Sequence, residues 1–317
     1  MVDSKKQWKA WLYLLPVIIL TLVFTVYPII NTVRVAFLDG YTLMDERGGE
    51  TFTFGVQNFA TVTQQNSDFW VCLKNTVLLT VITVPISTFL ALLIAVCLNS
   101  IKALNRLLQT IYFLPYVTNT IAIGLVFSTM FTWIGTGIGS DAPIISTYGI
   151  INDILHLFGV EPINWVNSGS SYWANMFVMV IYIVWNALPF KILILLGGLQ
   201  GVNKQYYEAA KVDGTSRVRT FWRITVPMLS PMLAYVIITG FIGGFKEYSS
   251  VVGVFGEKMG PVGDDGRINT MVGYINTRLM SGKPSEGIAS AGAILLFLLI
   301  FAVTMVNLYV SKKKVHY

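Results

Sequence analysis

Charge is what this sequence has least of. Asp, Glu, Lys and Arg make up 12% of its 317 residues, against roughly 25% for a surface that water must wet. That figure excludes a soluble enzyme and a disordered chain, and 54% hydrophobic residues with a mean hydropathy of +0.65 agree. Histidine and cysteine are few as well, two of each. Two cysteines do not staple a secreted module, and the histidines, His156 and His316, offer no ligand cluster for a metal. A phosphate-cradling G-x-x-x-x-G-K-[S/T] loop is missing too. The nearest Gly-Lys pair, Gly282-Lys283, runs into Pro284. Gly135, Gly137 and Gly139 close an apolar run instead of following a strand, so they carry no nucleotide signal.

What is present is length without charge. Uncharged runs cover residues 10–33, 75–101, 107–140, 162–190, 224–245 and 287–311. A helix needs about 20 apolar residues to cross a hydrocarbon layer about 30 Å thick. Each run is long enough to cross once and too short to cross twice. Alternating segments of about 10 residues, the mark of a membrane barrel, are not seen. The pattern predicts an all-α integral membrane protein of six transmembrane helices, the first retained and not cleaved.

Six spans put both termini on one side. With the termini in the cytoplasm, the inner segments hold 13 basic residues, among them Lys5, Lys6, Lys9, Lys102, Arg217, Arg219 and Arg223, against three acidic ones. The outer segments hold eight basic and 13 acidic residues. Positive charge retained inside sets this orientation, so the pI of 9.2 speaks of topology and not of nucleic acid. Cys72 and Cys97 fall at opposite ends of the second span and cannot meet. No Ser/His/Asp or Cys/His set can gather on one side of the membrane, so the chain is not expected to be an enzyme.

The largest inner loop spans residues 199–229. Asn203 is placed to cap a short helix that Gly214 ends, and Thr215 or Ser216 to cap a second that Pro227 limits. Read from charge alone, Arg217, Arg219 and Arg223 would meet anionic headgroups. The order of residues says more. Glu208-Ala209-Ala210, then Asp213-Gly214, then Ile224-Thr225-Val226-Pro227 resembles the signature loop of permease subunits of binding-protein-dependent ABC importers. The resemblance extends through Asn58-Phe59, Phe69-Trp70, Tyr112-Phe113-Leu114-Pro115, Ile163-Asn164-Trp165 and Gly197-Gly198-Leu199-Gln200, and is to the carbohydrate branch of the maltose-transporter type.

The resemblance implies the type I permease fold of ABC importers in a bacterial or archaeal cell membrane. It divides the chain into residues 1–70, a first span with an outer loop, and a core permease domain over 71–317. It implies a second, different permease subunit, two ATPase subunits that bind ATP and Mg, and an extracellular solute-binding protein, with no cofactor in this chain. Tyr207, Glu208, Ala209, Ala210, Asp213 and Gly214 would then form a coupling helix seated in the ATPase. Sugar contacts would come from Trp185, Asn186 and Phe190 in the fourth span and from Gly240, Gly244, Glu247 and Tyr248 in the fifth. Glu247 and Gly244 stand where the maltose permease carries amides. Trp185 and Phe190 serve equally well as helix-packing aromatics.

Three ionisable residues need a place. Lys191, roughly 12 Å up a helix from the inner loop, is expected to snorkel to the inner interface. Lys246 and Glu247 precede a further apolar stretch, Tyr248 to Phe255, and at that depth would line something polar. The outer loops, 142–172 with a short helix over 150–158 and the turn-rich 256–286, sit where a binding protein would dock. Their acidic charge either docks it or solvates the loop. Pro16, Pro28, Pro85, Pro115 and Pro189 are expected to kink spans. Rival readings are a glycerol phosphoester or uronide cargo, an ion-driven transporter working alone, and a membrane scaffold.

Overall fold

The computed structural model describes residues 7–101, 105–136, 145–281 and 285–314. Expectations resting on Lys5, Lys6, Lys102, Gly137, Gly139, Gly282, Lys283, Pro284 and His316 lie outside them. Among the described residues, four helices are long and apolar enough to cross a bilayer, and two bent pairs bring the number to six if each pair crosses once.

The chain divides into two units, residues 1–70 with 274–297 and residues 71–273 with 298–317. In the first, α1 (Gln7–Thr21) passes through a π-helical turn at Leu22–Val26 into α2 (Tyr27–Ala36). This long apolar rod buries none of its most hydrophobic window, which suits a surface solvated by lipid. The segment after α2 folds on α3 (Leu43–Arg47) and α4 (Gln57–Val62). Buried Asn58 organises it, its amide donating to Ala36 O at 3.1 Å and Leu38 O at 2.7 Å. Tyr41 donates its hydroxyl to Glu46, which also meets Arg34 at 3.4 Å.

The second unit holds most of α5 (Asp68–Ser100), then α6 (Asn105–Val117), α7 (Thr120–Met130), the hairpin β1 (Trp133–Thr136) and β2 (Ile145–Tyr148), and α8 (Ile150–Leu157). Next come α9 (Tyr172–Gly201), the inner loop with α10 (Lys204–Val212), α11 (Arg217–Thr220) and α12 (Val226–Met228), and then α13 (Ser230–Phe245) and α14 (Ser249–Phe255). Helices α15 (Met271–Met280) and α16 (Glu286–Lys314) complete the chain. The short outer helix expected over 150–158 is α8.

Three boundaries differ from the charge-free runs. The third run was expected to continue to residue 140. Its helix instead bends by 102° after Val117, restarts where Asn119 accepts from the Ile121 and Ala122 amides, and stops at Met130. Gly135 lies in β1, paired with Ser146. A glycine-rich end loses more entropy in a helix than a hairpin edge demands. The fourth span is displaced toward the C-terminus, starting on a Ser171 cap at Tyr172 and running ten residues beyond Lys191. Charge does not end it, because Lys191 is accommodated inside. Pro227 does not end the second inner helix either. That helix widens into a π turn over Phe221–Thr225, passes through Pro227, and bends by 69° only near Leu229. A π turn moves the backbone carbonyls away from the proline ring, which has no N–H to offer them.

Two apolar clusters hold this unit. One joins Leu79 of α5 to Val178, Met179 and Tyr182 of α9 and to Val251 and Val254 of α14. The other joins Ala91, Leu92, Ala95 and Leu98 of α5 to Ile192, Leu195 and Leu199 of α9 and to Leu229 and Val236. Between them, over Thr83–Ser87 and Asn186–Lys191, both helices turn polar residues inward. The gap is a cavity.

Candidate functional site: a polar cavity between two apolar clusters

The cavity has a volume of about 370 Å³. Helix α5 contributes Thr83, Val84 and Ser87; α9 contributes Asn186, Ala187, Phe190 and Lys191; and α13 contributes Thr239, Gly240 and Gly244. Tyr116 and Thr120 enter from the α6–α7 bend, and Glu247 from the break between α13 and α14. Glycine is required for space at 244, and at 240 a side chain would fit only tightly. A Cβ at Gly244 would fall 2.8 Å from Thr80 Cγ2, and one at Gly240 would fall 3.3 Å from Lys191 Nζ.

The hydroxyls follow one stripe of α5. Thr76, Thr80, Thr83, Ser87 and Thr88 each donate to the carbonyl four residues earlier. That spends the hydrogens on the helix and leaves oxygen lone pairs facing inward. Thr239 does the same on α13, to Tyr235 O at 2.7 Å. Lys191, 5% exposed, meets this stripe, donating to Ser87 Oγ at 2.7 Å, Thr88 Oγ1 at 3.0 Å and Val84 O at 3.3 Å. The expectation that it snorkels is therefore wrong. Three ammonium hydrogens find three oxygens on the neighbouring helix, which offsets much of the cost of leaving water.

An aromatic pair shares the lining with these polar groups. Phe190 and Tyr116 stack with centroids 5.8 Å apart and planes 19° from parallel. Such a flat apolar face suits a sugar ring, and hydroxyl and amide groups beside it suit the ring's substituents. Of the seven residues singled out from the sequence, Asn186, Phe190, Gly240, Gly244 and Glu247 line the cavity. Trp185 and Tyr248 do not. Trp185 packs on Phe127 at 5.3 Å, and both lie against the outer apolar cluster. Glu247 Oε1 accepts from the Tyr248 and Ser250 amides at 3.2 and 3.1 Å, capping α14. Lys246, its neighbour, is exposed and takes no part. Thr83, Ser87, Tyr116, Thr120, Thr239 and Lys191 were not singled out as cavity residues. The i, i+3, i+4 recurrence of hydroxyls in an apolar run was the signal available for α5.

The inner loop forms as its capping residues dictate. Asn203 accepts from Gln205 N at 3.0 Å to start α10, and Gly214, at φ +65°, turns the chain after it. Ser216, not Thr215, accepts from Arg219 N to start α11. Tyr207 lies 3.3 Å, hydroxyl to hydroxyl, from Thr225 in the π turn, tying α10 to the helix leading into α13. Glu208, Ala209 and Asp213 are exposed, whereas Ala210 is buried against its own chain. Only Ala209 of that alanine pair therefore offers a close approach to another surface. Val212, Val218 and Trp222 are 89%, 69% and 56% exposed. The helical knob thus carries carboxylates and bare apolar groups together. Cys72 and Cys97 form no disulfide with each other.

Residues 84–316 match the model of the binding-protein-dependent transport system inner membrane component. The chain belongs to that family. It is therefore a multi-pass membrane protein and a permease. The arabinooligosaccharides transport system permease protein of Halalkalibacterium halodurans is 30% identical over 93% of this chain and 85% of its own length. The trehalose/maltose transport system permease protein of Thermococcus litoralis is 29% identical over 95% of this chain and 93% of its own. A chain from a bacterial alginate ABC transporter, solved in complex with an alginate pentasaccharide-bound periplasmic protein, superposes with a TM-score of 0.79. It covers 98% of this chain and 96% of its own, at 20% identity, and supports the fold.

Proposed function

We propose that this chain is one half of the membrane pathway of an ATP-driven importer for an oligosaccharide. An extracellular solute-binding protein hands the sugar over, a second and different permease subunit completes the pathway, and two ATPase subunits supply the energy. The six spans cross with both termini in the cytoplasm, each bent pair counting once. The observation that carries the reading is the cavity, where a stacked aromatic pair shares the lining with hydroxyl oxygens, in a chain whose relatives are permeases for arabinooligosaccharides and for trehalose and maltose. Asn186 and Glu247 hydrogen-bond the sugar hydroxyls, and Phe190 takes a ring face.

The loop 199–229 is the coupling element. A compact knob with exposed Glu208, Asp213 and Val212 is a surface on which a soluble ATPase can push. The Tyr207–Thr225 contact passes a rigid shift into the helix that leads to the cavity wall on α13. The decisive test is purification from the native membrane in mild detergent, beside a preparation carrying Glu208→Lys. Copurification of an ATPase and a second six-span protein, with the ATPase lost from the variant, supports the reading. A chain that emerges alone or as a homodimer and moves sugar on an ion gradient overturns it.

A further inference from the structure

Sugar recognition by stacking and hydroxyls does not account for Lys191. A buried ammonium is costly without an anion beside it, and among the described residues no carboxylate forms an ion pair with it. Its partners are three neutral oxygens, and one of them is overcommitted. Val84 O accepts Thr88 Oγ1 at 2.7 Å as well as Lys191 at 3.3 Å. The third ammonium hydrogen is thus held weakly, at the wall of the cavity that Lys191 lines together with Gly240. Glu247 lines the same cavity, but seven residues beyond Gly240 in the direction of α13, roughly 10 Å along a helix axis. Lys191 marks the end toward the inner apolar cluster, Glu247 the end toward the outer one.

We propose that Lys191 is a specificity-determining residue that selects cargo bearing an acidic group, a sugar carboxylate of the uronide class, placed at the inner end of the cavity. The neutral, hydroxyl-rich remainder of the cargo extends past the Tyr116–Phe190 stack toward Glu247. Binding transfers the weak Lys191–Val84 hydrogen bond to the cargo carboxylate and supplies the missing counter-charge in a site of low dielectric. This inference rests on the importer reading above.

The test uses the intact complex purified from the native membrane, in proteoliposomes with its own binding protein. Uptake is compared for galacturonate oligomers, their neutral methyl esters and neutral malto-oligosaccharides. Wild type is expected to prefer the acid. Lys191→Met is expected to lose that preference by roughly tenfold or more, while Lys191→Arg keeps most of it. Because one binding protein serves all variants, a change in the acid-to-ester ratio belongs to the permease. A clamp that merely joins two helices would lower uptake of all three sugars together. Equal or better uptake of the neutral sugars by wild type, or an unchanged ratio in Lys191→Met, overturns the proposal and leaves the importer intact. ATP hydrolysis without uptake of any sugar overturns the carbohydrate reading itself.

Discussion

A Cβ built on Gly124 would lie 2.5 Å from Gly253 Cα, and one on Gly253 would lie 3.0 Å from Gly124 Cα. Helices α7 and α14 therefore cross backbone on backbone. Gly124→Ala is expected to cost about 1–3 kcal/mol through forced separation, read as a lower Tm in detergent. Gly197→Ala, where nothing lies within 4 Å of an added Cβ, is the control and should hold or raise Tm, since alanine restricts the unfolded chain. Tyr41 makes a second prediction. Its hydrogen bond to the Glu46 carboxylate, with burial and that negative charge, pushes its pKa up to about 12. The folded state thus holds the phenolic proton more tightly than the unfolded chain, whose value is near 10. The stabilisation is fully present below pH 10 and is lost as pH rises towards 12. Tm in detergent should fall across that window, and by less in Tyr41→Phe, which has no phenolic proton to lose. Neither feature was legible in the sequence. Gly124 and Gly253 are 129 positions apart, and only the α6–α7 bend brings them together. Lys191 was read as an interfacial lysine because periodicity shows which face a residue occupies, not that Ser87 and Thr88 wait opposite it.

Between single residues and the whole chain, the inner loop was the most legible element. Its helices are short and their ends are set by caps, which are local chemistry: Asn203, Gly214 and Ser216 stand where the structure uses them. Asn203→Ala should cost about 1 kcal/mol of loop stability. Gly214→Val places a β-branched residue at φ +65°, a strain of about 1–3 kcal/mol. Space around Gly214 is open, so the defect is purely conformational, and Gly214→Asn should be milder because asparagine tolerates that region. The readout is ATPase retained on the purified permease: lost with valine, largely kept with asparagine. Spans were legible only to within several residues. The rule that a charge ends a membrane helix failed at α9, where the charge is bonded internally. The bend after Val117 stands two residues from Pro115, where a kink is expected, whereas the bend near Leu229 falls between Pro227 and Pro231, neither of which was expected to kink a span.

At the scale of the molecule, sidedness can be read by chemical labelling. Cysteines introduced at Val212 and Val262, 89% and 80% exposed, should react with a membrane-impermeant maleimide from opposite faces. Val262→Cys is expected to label in intact cells, and Val212→Cys only in inverted vesicles; the reverse would place the termini outside. Native Cys72 and Cys97 sit within α5, so the background is measured on wild type. The sequence predicts the orientation from the 13 lysines and arginines it assigns to the inner segments. It pointed to five of the cavity's residues but not to its polar wall on α5, because the cavity is the gap left between two apolar clusters stacked along α5 and α9. The π turns have a consequence for descent. Both, Leu22–Val26 and Phe221–Thr225, end two residues before a proline, Pro28 and Pro227. Each holds one residue more than an α-helix of the same span, so a single deletion there restores α geometry without rotating the flanking helices. Lineages that have lost Pro28 or Pro227 should therefore be one residue shorter at that place, and the two changes should have travelled together.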